Sequence, residues 1–129
     1  MKLADIETFV VGTLPPGFGG RYFIFVALRT ACGITGYGEI YSASFSPHLT
    51  AKMAEDMFAR YLEGTDPHNI EMFIRRAHGS GFSHRPDPTV WGVASGLEIA
   101  MMDILGKAHD MPCYDLLGGK VQERLRTYT

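Results

Sequence analysis

The feature that most limits what this chain can fold into is its run from about Thr89 to Gly119. Val93, Leu97, Ala100, Met101, Ile104, Leu105 and Ala108 recur at spacings of three and four, the period of one helical face. Gly92, Gly96 and Gly106 sit inside that run. Each costs up to about 1 kcal/mol of helix propensity against alanine. A helix that keeps them is expected to have another backbone packed close against it. The helix is expected to end at His109. A short second helix then opens at Pro112 and closes at Gly118-Gly119.

Three strands are expected upstream. Lys2 to Val11 is rich in β-branched and aromatic residues. Arg21 to Thr30 alternates, with Tyr22, Ile24, Val26 and Leu28 on one face and Phe23, Phe25 and Ala27 on the other. Both faces are apolar, which predicts a central, covered strand. Ala31-Cys32-Gly33 makes a tight connection, and Ile34 to Tyr41 returns as the third strand. The loop Leu14 to Gly20 starts stiff at Pro15-Pro16 and ends free at Gly17-Phe18-Gly19-Gly20.

Two more helices are expected between the strands and the long run. Ser46-Pro47 reads as a cap followed by a first-turn proline. Leu49, Met53, Met57, Phe58, Tyr61 and Leu62 make the stripe, and Gly64 ends it. Asp66-Pro67 opens the next helix, with Ile70, Phe73, Ile74 and Ala77 on its inner face, and His78-Gly79-Ser80-Gly81 breaks it. Arg124 to Thr129 reads as the start of a further strand. Strands followed by helices predict an α+β domain: a three-stranded antiparallel meander followed by a helical bundle.

At 129 residues the chain is one domain's worth, able to bury roughly two-thirds of its unfolded surface. Twelve Lys and Arg against fourteen Asp and Glu leave no basic stripe, so neither nucleic acid nor a membrane surface is an expected partner. No apolar run approaches the roughly 20 residues of a membrane span. Asp5 stands where a signal peptide would carry its apolar core. Cys32 and Cys113 match no metal or redox spacing and read as two reduced thiols of a cytoplasmic protein.

Few motifs suggest chemistry. Gly36-Tyr37-Gly38-Glu39 opens no helix and has no third glycine, so it is not a dinucleotide loop. Gly17-Phe18-Gly19-Gly20 lacks the Lys-Ser/Thr of a phosphate loop. His48, His68, His78, His84 and His109 form no ligand pair or Cys/His cluster by spacing. His48 and His84 stand out because each lies at an irregular segment or its edge. Glu98 and Asp103, five residues apart on a helix, point about 140° apart and do not converge. Asp103 and Lys107 are spaced for an ordinary i, i+4 ion pair.

The order of these features is more specific than any one of them. The meander closes on Gly36-Tyr37-Gly38-Glu39, a Gly64-x-Asp66-Pro67 break separates two helices, and Ser95 to Gly119 follows. Gly118-Gly119-Lys120-Val121 then leads into Arg124 to Tyr128. Over essentially the whole chain this order resembles the N-terminal capping domain of the mandelate racemase/muconate lactonizing family in the enolase superfamily.

The resemblance implies a cap spanning residues 1–119, with 120–129 beginning the first strand of a modified (β/α) barrel. The barrel itself is expected to be missing from this sequence. In the family it carries three carboxylates for Mg²⁺ and Lys or His acid/bases, so no catalytic residue or metal ligand is assigned here. The chain alone is expected to be catalytically inactive.

The resemblance also implies that two cap segments reach the substrate: the loop after the first strand and the one after the third. Gly19, Gly20, Arg21, Tyr22, Tyr41, Ser44 and His48 are the candidate substrate-binding residues, with His84 and Arg85 as a second choice. Arg21 could grip a carboxylate bidentately. Polar and aromatic groups together suit a polyhydroxylated acid. The expected parent enzyme is therefore a Mg²⁺-dependent sugar-acid dehydratase, assembled as a homo-oligomer. A racemase, a muconate-type cycloisomerase and a free-standing binding or oligomerisation module are the alternatives.

Overall fold

The computed structural model of the chain describes residues 1–16, 21–41, 46–79 and 87–127. Strands β1 (Leu3–Gly12), β2 (Tyr22–Thr30) and β3 (Thr35–Ile40) form an antiparallel sheet in the order β1-β2-β3. Phe25 stands opposite Phe9 on one side and Glu39 on the other. The β2–β3 turn is closed by the Thr30 amide donating to the Ile34 carbonyl at 2.9 Å. The Thr30 hydroxyl accepts from the Ile34 amide at 2.9 Å, so the buried hydroxyl is satisfied. Gly33 takes a φ of +93°, which the turn requires and other residues rarely adopt.

Ile24, Val26 and Leu28 line the inner face of β2 and are fully buried. Its outer face differs from the expectation of a strand covered on both sides. Phe23 and Phe25 stack at 6.2 Å between ring centroids but stay half-buried, and their neighbours Phe9 and Val11 are exposed. Among the described residues the helices pack on one side of the sheet, leaving this side to cross-strand pairs alone.

The helices are α1 (Pro47–Tyr61), α2 (Ile70–Gly79), α3 (Pro88–His109) and α4 (Cys113–Leu116). Ser46 holds the cap position of α1 but makes no side-chain cap bond. Leu49 is 65% exposed, while Thr50 and Ala51 turn inward, so the buried stripe is rotated from the expected one. Helix α2 starts at Ile70, later than expected at Asp66-Pro67. There the Asp66 carboxylate accepts the His68 amide at 3.0 Å, making a side-chain turn, and Pro67 is buried. The α2 face is as expected, with Phe73 and Ala77 buried.

Helix α3 opens on Asp87, whose carboxylate accepts the Thr89 and Val90 amides at 2.7 and 3.1 Å. It ends at Asp110 in the left-handed conformation, and Ala108 is exposed at its last turn. Val93, Leu97, Ala100, Met101 and Ile104 are fully buried in one core with the inner sheet face, α1 and α2. By length and composition α3 could cross a membrane, contrary to the expectation that no run approaches that length. Half of that stretch is buried inside the fold, as in the core helix of a packed domain.

Gly96 of α3 and Gly36 and Gly38 of β3 form one seam, whereas Gly106 of α3 lies against the Met111 carbonyl. A Cβ on Gly38 would collide with the Gly96 carbonyl oxygen, and one on Gly96 with Ile40 Cγ1. Gly36 meets Ala100 and Ile104 in the same way. The propensity lost in α3 is thus offset by a helix lying directly on the strand backbone. Residues 124–127 make no strand, having no neighbouring strand to pair with among the described residues.

Candidate functional site

The ends of β1 and β3 and the starts of β2, α1 and α3 gather at one end of the molecule. Leu3, at the start of β1, bonds to the turn after α1: its amide donates to the Thr65 carbonyl at 2.8 Å and its carbonyl accepts the Gly64 amide at 2.9 Å. Midway along β1, the Thr8 hydroxyl donates to Glu55 at 3.0 Å. Helix α1 therefore runs opposite to β1, and its first turn lies level with the β1–β2 connection. Helix α3 runs opposite to β3, with Gly92 against the Tyr41 carbonyl and Gly96 against Gly38 and Ile40. Its start lies at the same end.

Of the candidate substrate-binding residues named from sequence, Arg21, Tyr22, Tyr41 and His48 are described, and they lie at this end. Gly19, Gly20, Ser44, His84 and Arg85 lie outside the described residues. Arg21 is exposed, and its carbonyl accepts the Thr13 amide at 3.1 Å, closing the base of the β1–β2 connection. Tyr22 is half-buried and packs against the core. Tyr41 is 82% exposed just past β3. His48 is exposed in the first turn of α1 and does not line the hollow beside Tyr41.

That hollow, of about 410 Å³, is bordered by Glu39, Tyr41, Pro88, Gly92, Ser95 and Ile99. Glu39 and Ser95 are polar groups that the sequence reading passed over. Gly38 and Ile40 face the helix, so strand alternation turns Glu39 between them outward. Asp87, one residue before Pro88, holds its carboxyl below the usual range, chiefly through the Val90 amide and then that of Thr89.

The Asp103–Lys107 pair does more than its spacing suggested. The two side chains meet at 2.7 Å. Asp103 also accepts the Tyr37 amide at 2.9 Å, and Lys107 donates to the Thr35 carbonyl at 2.8 Å. Lys107 lies 5.0 Å over the Tyr37 ring. Together they satisfy backbone groups on the open edge of β3. Glu98 and Asp103, set apart by their helical angle, border a single hollow of about 470 Å³ with Tyr37, Ile99, Met102, Cys113 and Leu117. Cys32 and Cys113 are both free thiols. Among the described residues no group of three or more His, Cys, Asp or Glu is placed to hold a metal, so these residues do not fit a Mg²⁺ site.

The N-terminal domain model of the mandelate racemase/muconate lactonizing enzyme family matches residues 17–118. The chain belongs to this family. The D-galactonate dehydratase of Ralstonia nicotianae (strain ATCC BAA-1114 / GMI1000) is 33% identical over all 129 residues, which make up 31% of that enzyme's length. A mandelate racemase/muconate lactonizing enzyme from Sulfitobacter sp is 53% identical, with a TM-score of 0.93 over 98% of this chain and 32% of its own. An enolase from Agrobacterium radiobacter, solved with Na and L-malate bound, is 26% identical, with a TM-score of 0.83 over 99% of this chain and 30% of its own. The capping domain thus spans about a third of the length of these relatives. The expected α+β class and the antiparallel meander followed by helices are those of the family domain.

Proposed function

We propose that this chain is the substrate-specificity cap of a sugar-acid dehydratase of the enolase superfamily. Residues 1–119 would form the cap, and 120–129 the passage into the first strand of a barrel. The similarity of the whole chain to a D-galactonate dehydratase carries the reading. Such an enzyme removes the proton next to a carboxylate and expels a hydroxyl from the adjoining carbon. The cap supplies none of the groups that move the proton. Its part is to select the substrate and keep water from the intermediate.

The gathering of strand ends and helix starts at one end supports that role. Arg21 can pair with a carboxylate, and Tyr41 and Ser95 can meet hydroxyls. Gly19, Gly20, Ser44, His48, His84 and Arg85 complete the proposed contacts. Exposed Ile99, Tyr114 and Leu117 offer the barrel an apolar seat. The Mg²⁺ of the reading belongs to the barrel. The parent is further proposed to be a cytoplasmic homo-oligomer.

The test is turnover by the full-length parent protein on a panel of acid sugars led by D-galactonate. Release of a 2-keto-3-deoxy acid is expected. If no member of the panel loses water, the dehydratase reading fails; inversion at the carbon next to the carboxylate would replace it with a racemase.

A further inference from the structure

The end of the molecule opposite the starts of α1 and α3 carries a second group of side chains. His68, in the turn between α1 and α2, and His109, in the last turn of α3, are 41 residues apart in sequence. Their Nε2 atoms stand 2.9 Å apart, with the rings edge to face and centroids at 5.2 Å. Behind His68, Nδ1 lies 2.7 Å from the Asp66 carboxylate. That carboxylate also accepts the His68 amide at 3.0 Å and the Met1 ammonium at 3.2 Å.

The protonation pattern follows from these contacts. An ionised carboxylate only accepts, so His68 Nδ1 carries a proton and neutral His68 presents a bare Nε2. The one proton between the two Nε2 atoms then comes from His109. When His109 shifts to its other neutral tautomer, two lone pairs face the same small space. A carboxylate on the rear nitrogen is the arrangement that orients metal-bound histidines and raises their basicity.

We propose that His68 and His109 form a two-imidazole site for a divalent transition-metal ion, with Asp66 orienting the first ligand and water completing the shell. The ring centroids, 5.2 Å apart, set the two Nε2 atoms head-on, so the surface rings turn for both lone pairs to converge on one ion. Imidazole donors suit Ni²⁺, Cu²⁺ or Zn²⁺ and give the site no hold on Mg²⁺. A bound ion would tie the C-terminus of α3 to the α1–α2 turn and, through Asp66, to the chain start.

The test uses tag-free, chelator-treated protein titrated with Ni²⁺ by calorimetry, alongside His68→Gln and His109→Gln. Metal sites elsewhere are common to all three proteins, so the difference reads this pair. The wild type should bind one more equivalent of Ni²⁺ than either variant, and Mg²⁺ should give no such difference. Equal Ni²⁺ binding by wild type and both variants overturns the site. Both side chains are surface groups, and circular dichroism checks the fold of each variant. If a variant does not fold, wild type loaded with one equivalent of Cu²⁺ decides: coupling to two imidazole nitrogens in its paramagnetic resonance spectrum supports the pair, and coupling to none overturns it.

Discussion

At Gly38 the absent Cβ is what lets α3 lie against β3. Alanine there would press on the Gly96 carbonyl, a backbone group with little room to move. Gly38→Ala is therefore expected to destabilise the domain by about 1–3 kcal/mol, read as a lowered urea midpoint at unchanged slope. Single carboxylates act differently. Asp66 is held well below the ordinary carboxylate range, first by the His68 amide and then by the His68 ring. Asp87 is lowered by the amides it caps. Because both native pKa values lie below the unfolded value of about 3.9, their contributions are fully present above it and fade as pH falls below it. Thermal melts between neutral pH and pH 3 should show Tm falling on acidification, and less steeply in Asp87→Asn. An equal slope in that variant would rule the cap out as a source of the acid sensitivity.

Helix α3 is the element on which the others are assembled. Met101 is fully buried in its middle, and Met101→Ala should cost about 2–5 kcal/mol, measured by denaturant unfolding. The same helix guards the open edge of β3 through Asp103 and Lys107. Asp103→Ala removes the acceptor of the Tyr37 amide, so that amide should exchange faster with solvent while the amides in the middle of β2 keep their protection. Ser46 and Leu49 show why the start of α1 was harder to read than α3. A serine before a proline predicts a cap, yet the capping bond does not form, and the face turned inward is chosen by what α1 packs against. The later start of α2 has a similar cause: Asp66 spends its carboxylate on a turn, and that turn delays the first helical residue.

For the molecule as a whole, the two ends are assigned different work. In the full-length parent, Arg21→Ala should raise KM roughly tenfold while kcat changes less, as expected when a charge-assisted contact to bound substrate is lost. Steady-state kinetics on the preferred acid sugar would check this, and an unchanged KM would remove Arg21 from the proposed contacts. His68→Gln, at the far end, should leave that KM alone.

Local patterning was enough to give the meander, the long helix and their order, because alternation and three-to-four spacing record which side of each element avoids water. The family resemblance was likewise legible in the order of the glycine, Asp-Pro and helical segments. Two things required the fold. The glycines of α3 signalled a close approach, but only the packed pair reveals that Gly96 lies against Gly38 of β3. His68 and His109 matched no ligand spacing, since spacing along a chain describes neighbours on one element. Their meeting depends on where the α1–α2 turn and the last turn of α3 come to rest, which long-range packing decides.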